Sequence, residues 1–306
     1  MNRSSFELLI LGTSAAIPTS ERNQTAQLLN ICERFFLVDC GEGTQTQLRK
    51  FKGKFQSIDH ILISHLHGDH FFGLPGILSS MHLLGRKQDL NIYCPEDLRS
   101  FIEHMASISY TEFSYKINWK FTNNKKKELI FEDDKVEVYS FPLKHRIFCT
   151  GFLFKEKPLP RKIDKEKLTT HGLCTADIPA LRLGLDVKND KGKKIRNKLV
   201  TIDPEKERSY AFCSDTIFHK GLARYIQDVD LLYHESTFLE DNKERAKKTY
   251  HSTARQAAEM AQLANAKKLL IGHFSTRYSN LNDFETEAKS IFANSEICTD
   301  GKKVKI

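Results

Sequence analysis

Three histidines and an aspartate fall within six residues, His65-Leu66-His67-Gly68-Asp69-His70, directly after the apolar run Ile61-Leu62-Ile63. Residues two apart on an extended chain point the same way, so His65 and His67 can present imidazoles to one point. Gly68 permits a sharp turn that brings Asp69 and His70 round to a second point close by. Imidazole and carboxylate suit zinc, and a catalytic zinc keeps a coordination position for water. Ionisable side chains packed this densely need partners, so a purely structural role is a poor account of the cluster.

A scaffold must hold these groups. Period-two runs bounded by turn residues predict strands over Phe6–Leu11, Leu28–Cys32, Phe35–Asp39, Ile58–Ser64, Asn91–Cys94, Tyr115–Phe121, Lys135–Phe141 and Gly151–Phe154. Ile61-Leu62-Ile63 reads as part of a central strand covered on both faces. Further strands are predicted over Lys198–Ile202, Ser209–Ser214, Asp230–His234 and Lys268–Ile271. Helices are predicted over Gly41–Lys50, Gly73–Leu84, Pro95–Ser107, Thr253–Ala264 with Ser252 as N-cap, and Asn282–Phe292. Strands mixed with helices in both halves predict an α/β fold, an αββα sandwich in one domain over residues 1–306.

Charge is unevenly placed. The 306 residues carry a net charge of +8, but residues 155–198 hold 13 Lys or Arg against 6 Asp or Glu, which leaves the rest close to neutral. With prolines at 158, 160 and 179 and no sustained period, this segment reads as a flexible inserted arm, and clustered cations favour RNA. The seven cysteines are odd in number and none pair at CxxC spacing, which argues against a disulfide framework or zinc ribbon and for buried thiols in a reducing cytoplasm. The N-terminus has no signal-peptide core, and no apolar run approaches membrane length.

The HxHxDH run is the signature of the metallo-β-lactamase superfamily, and the chain resembles one branch of it, the tRNA 3′ endonucleases called ribonuclease Z, almost end to end. Leu11-Gly12-Thr13-Ser14, Asp39-Cys40-Gly41-Glu42-Gly43-Thr44-Gln45 and Phe72-Gly73-Leu74-Pro75-Gly76 are similar to the family's motifs. Leu143-Lys144-His145-Arg146, Cys213-Ser214-Asp215-Thr216 (Ser for the family's Gly) and Ile271-Gly272-His273-Phe274 match its later ligand positions. The resemblance implies two zinc ions. One is held by His65, His67, His145 and Asp215. The other is held by Asp69, His70, Asp215 and His273, with Asp215 bridging.

Two-metal sites suit phosphodiester hydrolysis. Asp69 is the expected holder of the attacking water and the base. His251, in a His-Ser-Thr stretch like the family's, is the expected general acid, with Glu235 of His234-Glu235-Ser236-Thr237 as its partner. Pro18-Thr19-Ser20-Glu21-Arg22-Asn23 resembles a family motif linked to the tRNA 3′ end, with Ser20 in place of Lys, so Arg22 and Asn23 are expected to meet RNA. The basic segment resembles the family's exosite, a protruding arm, with Lys188, Lys191, Lys193, Lys194 and Arg196 expected to bind RNA, although Ile178-Pro179-Ala180-Leu181 replaces its Gly-Pro turn. The expected partners are precursor tRNA and a second copy in a homodimer, with no membrane. Two other readings share the signature. A hydrolase of small esters or phosphodiesters needs no basic arm, and a non-catalytic RNA-binding subunit would be expected to lose metal ligands.

Overall fold

Strand alternation sorts the apolar residues of the first half onto two faces. A computed structural model describes residues 5–306. Phe6, Leu8 and Ile10 face a core shared with the second half of the chain, whereas Leu9 and Leu11 face the helices of their own half. The first sheet has seven strands, in the order Lys303–Lys305, Phe6–Gly12, Ala26–Ile31, Arg34–Cys40, Ile58–Leu62, Leu90–Cys94 and Ile117–Phe121. The second also has seven, in the order Ser295–Ile297, Lys268–Gly272, Leu231–Glu235, Ser209–Cys213, Thr150–Glu156, Val136–Pro142 and Glu128–Glu132.

Phe36, Val38 and Leu62 of one sheet pack with Phe152, Phe212 and Tyr233 of the other. The helices Thr44–Lys50, Leu74–Leu83 and Asp97–Ile108 cover the outside of the first sheet, and Ala254–Leu263 and Asn282–Lys289 that of the second. This is the expected αββα sandwich. Ile61 and Leu62 lie on opposite faces of a central strand, both wholly buried, as the apolar run predicts.

The helix expected over Thr253–Ala264 begins one residue later, at Ala254. Thr253, not Ser252, is its N-cap: the Thr253 hydroxyl accepts from Gln256 N at 3.2 Å, and Gln256 Oε1 accepts from Thr253 N at 3.1 Å. That reciprocal pair satisfies two helix-end donors and leaves the Ser252 hydroxyl to donate to the Thr216 carbonyl at 2.7 Å. The strand Glu128–Glu132 and the helix Lys243–Thr249 carry no pattern that predicts them. An Asx turn at Asp133, accepting from Lys135 N and Val136 N, folds the first back on its neighbour.

Residues 156–207 form a second compact unit. The irregular run expected over 155–198 is instead built of small elements. Lys162–Ile163 pairs with Thr201–Ile202, and Val187–Lys188 pairs with Lys194–Ile195. The helices Lys165–Thr170, Ile178–Arg182 and Asn197–Val200 pack around Leu168, Leu181, Ile195 and Val200. Elements this short complete too few turns to show a period in sequence. Pro179 sits in a helical first turn, where its missing N–H costs nothing, and the strand expected over 198–202 is helical as far as Val200. Among the described residues, no helix is long and apolar enough to cross a membrane.

Candidate metal centre

Six strand ends deliver the site. His65, Asp215, His273 and His145 each follow a strand within three residues, Glu235 ends one, and Asp39 is the penultimate residue of another. The HxHxDH segment leaves its strand extended, then turns into a short helix at Gly68 with His67 as its N-cap.

The donor atoms gather at two points. His65 Nε2 lies 3.0 Å from His67 Nδ1, which lies 3.2 Å from His145 Nε2. Asp215 Oδ2 is 3.6 Å from His65 Nε2 and 3.8 Å from His145 Nε2. At the second point, Asp215 Oδ1 is 3.4 Å from His70 Nε2 and 3.3 Å from His273 Nε2. Asp69 Oδ2 is 3.5 and 3.4 Å from the same two nitrogens. Each Asp215 oxygen therefore faces one group.

The donor sets fit a metal ion. Donors held about 2.0–2.1 Å from one ion in a tetrahedron stand roughly 3.3–3.4 Å apart, and the distances here, 3.0–3.8 Å, bracket that spacing. Among the described residues, His70 Nε2, Asp215 Oδ1 and His273 Nε2 are buried without a hydrogen-bond partner, a costly arrangement that a cation relieves. The groups His65-His67-His145-Asp215 and Asp69-His70-His273 could each hold an ion, and Asp215-His251-His273 also converge. His251 Nδ1, however, is committed to Glu235.

Second partners fix the rings. Asp39 Oδ2 lies 2.8 Å from His70 Nδ1, and the same carboxylate accepts from Ser64 N at 2.8 Å and from its hydroxyl at 2.9 Å. His145 Nδ1 meets the Tyr250 carbonyl at 3.0 Å, and His273 Nδ1 meets the Thr237 hydroxyl at 3.0 Å. Ala16 N donates to Asp69 Oδ2 at 2.8 Å. Such bonds set the tautomer and aim of a ligand. Burial pulls His70 down, but the carboxylates of Asp215, Asp69 and Asp39 win and hold it well above the ordinary histidine range. Burial, with neighbouring His70, pushes His65 well below it.

His251 lies beside this cluster, lining a cleft of about 640 Å³. Its Nδ1 is 3.0 Å from Glu235 Oε1. Burial opposes the charge, yet Glu235 and Asp215 raise its pKa to about 9. Glu235 is wholly buried. It also accepts from Thr216 N at 3.1 Å, Ser252 N at 3.0 Å and Thr237 N at 3.0 Å, so it is a structural hub as well as a partner for His251.

The other expected residues stand apart from the cluster. Arg22 Nη2 donates to the Tyr278 carbonyl at 2.9 Å, and Asn23 N donates to Asp300 Oδ2 at 2.8 Å. Lys188, Lys191, Lys193, Lys194 and Arg196 are exposed in the second unit. Asp39, Ser64, Thr237 and Ala16 are site residues that sequence reasoning misses. A carboxylate near the end of a buried strand is the one sequence cue, and only at Asp39.

The chain is similar to known proteins in sequence and in fold. Residues 6–157 match a family model described as anti-Pycsar protein Apyc1. The chain is 40% identical to a ribonuclease Z of Parabacteroides distasonis, covering 98% of this chain and 99% of that one. It is 46% identical to a ribonuclease Z of Cytophaga hutchinsonii, covering 97% and 95%. Among solved structures it is similar to human short-form tRNase Z, at 28% identity and a TM-score of 0.70 over 97% and 98% of the two chains. A metallo-β-lactamase-fold protein of Bacillus subtilis, 16% identical with a TM-score of 0.70 over 99% and 100%, shares the fold.

Proposed function

The chain belongs to the ribonuclease Z family, and on that premise we propose that it is the endonuclease that removes the 3′ trailer from precursor tRNA, leaving a 3′-hydroxyl on the tRNA and a 5′-phosphate on the trailer. The observation that carries the reading is the pair of donor groups that share Asp215, one to each of its oxygens.

Two zinc ions suit these imidazole and carboxylate donors, His65, His67, His145 and Asp215 for one and Asp69, His70, Asp215 and His273 for the other. When bound, they supply Lewis acidity at the phosphate and a nucleophile at neutral pH. Asp69 keeps Oδ2 toward His70, His273 and the Ala16 amide, which leaves Oδ1 to orient the attacking water and take its proton. His251, held on Nδ1 by Glu235, turns Nε2 to the leaving oxygen and donates a proton as the P–O3′ bond breaks.

Arg22 and Asn23 hold the loop that meets the tRNA 3′ end. The basic unit, with Lys188, Lys191, Lys193, Lys194 and Arg196, grips the tRNA away from the cut through phosphates, and a homodimer acting in the cytoplasm lets one subunit's arm serve its partner's site. The small-substrate alternative leaves the basic unit without a task. The test is to incubate 3′-extended precursor tRNA with the zinc-loaded protein and map the ends. One cut beside the discriminator base is expected. Hydrolysis of a small diester without any cut in tRNA would transfer the assignment to a small-substrate hydrolase.

A further inference from the structure

Ala16 is exposed at the rim of the cleft, yet its N–H donates to Asp69 Oδ2 at 2.8 Å. The backbone there is left-handed, with φ at 58°, a conformation that a residue with a Cβ keeps only where its surroundings impose it. Packing does not impose it, since Ala16, Ile17 and Pro18 are all exposed. Hydrogen bonds do. Gln24 Nε2 donates to the Ala16 carbonyl at 2.8 Å, and Gln24 Oε1 accepts from Glu42 N at 2.9 Å. The Ser14 hydroxyl donates to the Ile17 carbonyl at 2.7 Å. Thr13 N and Ser14 N both donate to the Asn23 carbonyl at 2.9 Å, which closes the loop 13–24 at its base.

One side chain grips both stems of this loop from the far end of the sequence. Asp300 lies in the turn before the last strand, Lys303–Lys305. Its Oδ1 accepts from the Thr13 hydroxyl at 2.8 Å. Its Oδ2 accepts from Asn23 N at 2.8 Å, Asn23 Nδ2 at 3.3 Å and Gln47 Nε2 at 2.9 Å. Gln47 Nε2 also reaches the Leu11 carbonyl at 2.8 Å, just before the first stem. Three N–H donors converge on Oδ2, so the group here must accept. None of the four donors is charged, so a neutral acceptor can serve them. The chemistry proposed above uses none of Thr13, Gln24, Gln47 or Asp300.

We propose that Asp300 and Gln24 are positioning residues for Asp69. Asp300 fixes the stems of the loop, Gln24 fixes Ala16 within it, and the Ala16 amide holds Asp69 Oδ2 toward His70 and His273. This rests on the two-zinc reading of the site, in which Asp69 serves one ion and not the other.

The test compares Asp300→Ala, Asp300→Asn and Gln24→Leu with the wild type, by zinc competition with a chromogenic chelator and by amide hydrogen exchange. An asparagine can keep its carbonyl toward the three N–H donors and turn its amide to the Thr13 hydroxyl, which accepts as well as donates. Asp300→Ala and Gln24→Leu should therefore weaken one of the two zinc ions by about 10–100-fold and leave the other unchanged. Asp300→Asn should bind both as the wild type does. The Ala16 N–H should exchange faster in the first two variants, measured against amides of the strand Arg34–Cys40, and at the wild-type rate in Asp300→Asn. Should Asp300→Ala fail to fold, Gln24→Leu carries the comparison. A lower urea midpoint with both affinities unchanged would make the two residues supports of the fold only, and overturns the proposal; equal weakening of both ions does the same. If the wild type does not bind two zinc ions, the metal reading fails on its own. Exchange at Ala16 then decides: a faster rate in Asp300→Ala and Gln24→Leu than in Asp300→Asn upholds the positioning, and equal rates refute it.

Discussion

His251 Nδ1 lies 3.0 Å from Glu235 Oε1, and that carboxylate has no exposure to solvent. The pair keeps an imidazolium at the edge of the cleft with Nε2 available. His251→Ala should lower cleavage of precursor tRNA by about 10²–10⁴-fold, while hydrolysis of a nitrophenyl diester, whose leaving group needs no proton, falls far less. Equal losses on both substrates would remove His251 from the role of acid.

Glu235 differs from His251 in what else depends on it. Glu235→Ala strips a partner from three buried backbone N–H groups, those of Thr216, Thr237 and Ser252. Each orphaned donor costs about 1–3 kcal/mol, so this variant should unfold at markedly lower urea, whereas His251→Ala should not. A Glu235→Ala protein of wild-type stability would contradict the hub.

Asp39 sets the aim of His70 from the far side of the ring. Asp39→Asn should weaken zinc binding by about 10–100-fold, read by competition with a chromogenic chelator. Unchanged affinity would make Asp39 a purely structural anchor for Ser64.

His60 is buried between Phe36 and Phe131, with centroids 4.8 and 4.4 Å away, and burial lowers its pKa from 6.5 to about 4. Its folded-state pKa is the depressed one, so the unfolded chain binds a proton that the folded chain refuses. The contribution to stability is full above pH 6.5 and is lost as pH falls toward 4. That amounts to roughly 2 kcal/mol between pH 7 and pH 5. His60→Gln keeps a polar group for the Tyr93 hydroxyl, 3.3 Å away, and should show that much less pH dependence in urea unfolding. An identical pH profile would contradict the burial argument.

The sandwich and the metal donors are legible in the sequence because both leave dense local signals. His65, His67, Asp69 and His70 lie within six residues, and Ile61-Leu62-Ile63 announces a covered strand. His145, Asp215 and His273 have no such cluster around them and are reached only through the family resemblance. Asp39, Thr237 and Ala16 act through contacts between segments far apart in sequence, 53 residues apart for Ala16 and Asp69, so no periodicity marks them. The second unit reads as irregular in sequence because helices of four to six residues, as at 165–170, 178–182 and 197–200, are below the length at which a pattern shows. The helix Lys243–Thr249 is hidden by its charge, with Ala246 its one buried residue.

The donors around Asp215 are proposed to hold two zinc ions through which precursor tRNA is cut. The direct measurement is to strip the protein with a chelator and return zinc stepwise while following cleavage of 3′-extended precursor tRNA, with Asp69→Ala and Asp215→Asn alongside. The expected result is no cut by the stripped protein, full activity at two zinc ions per chain, a single cut that leaves a 3′-hydroxyl, and neither variant rescued by zinc. Cleavage by the stripped protein, or a zinc-saturated wild type that leaves the precursor intact, would contradict it.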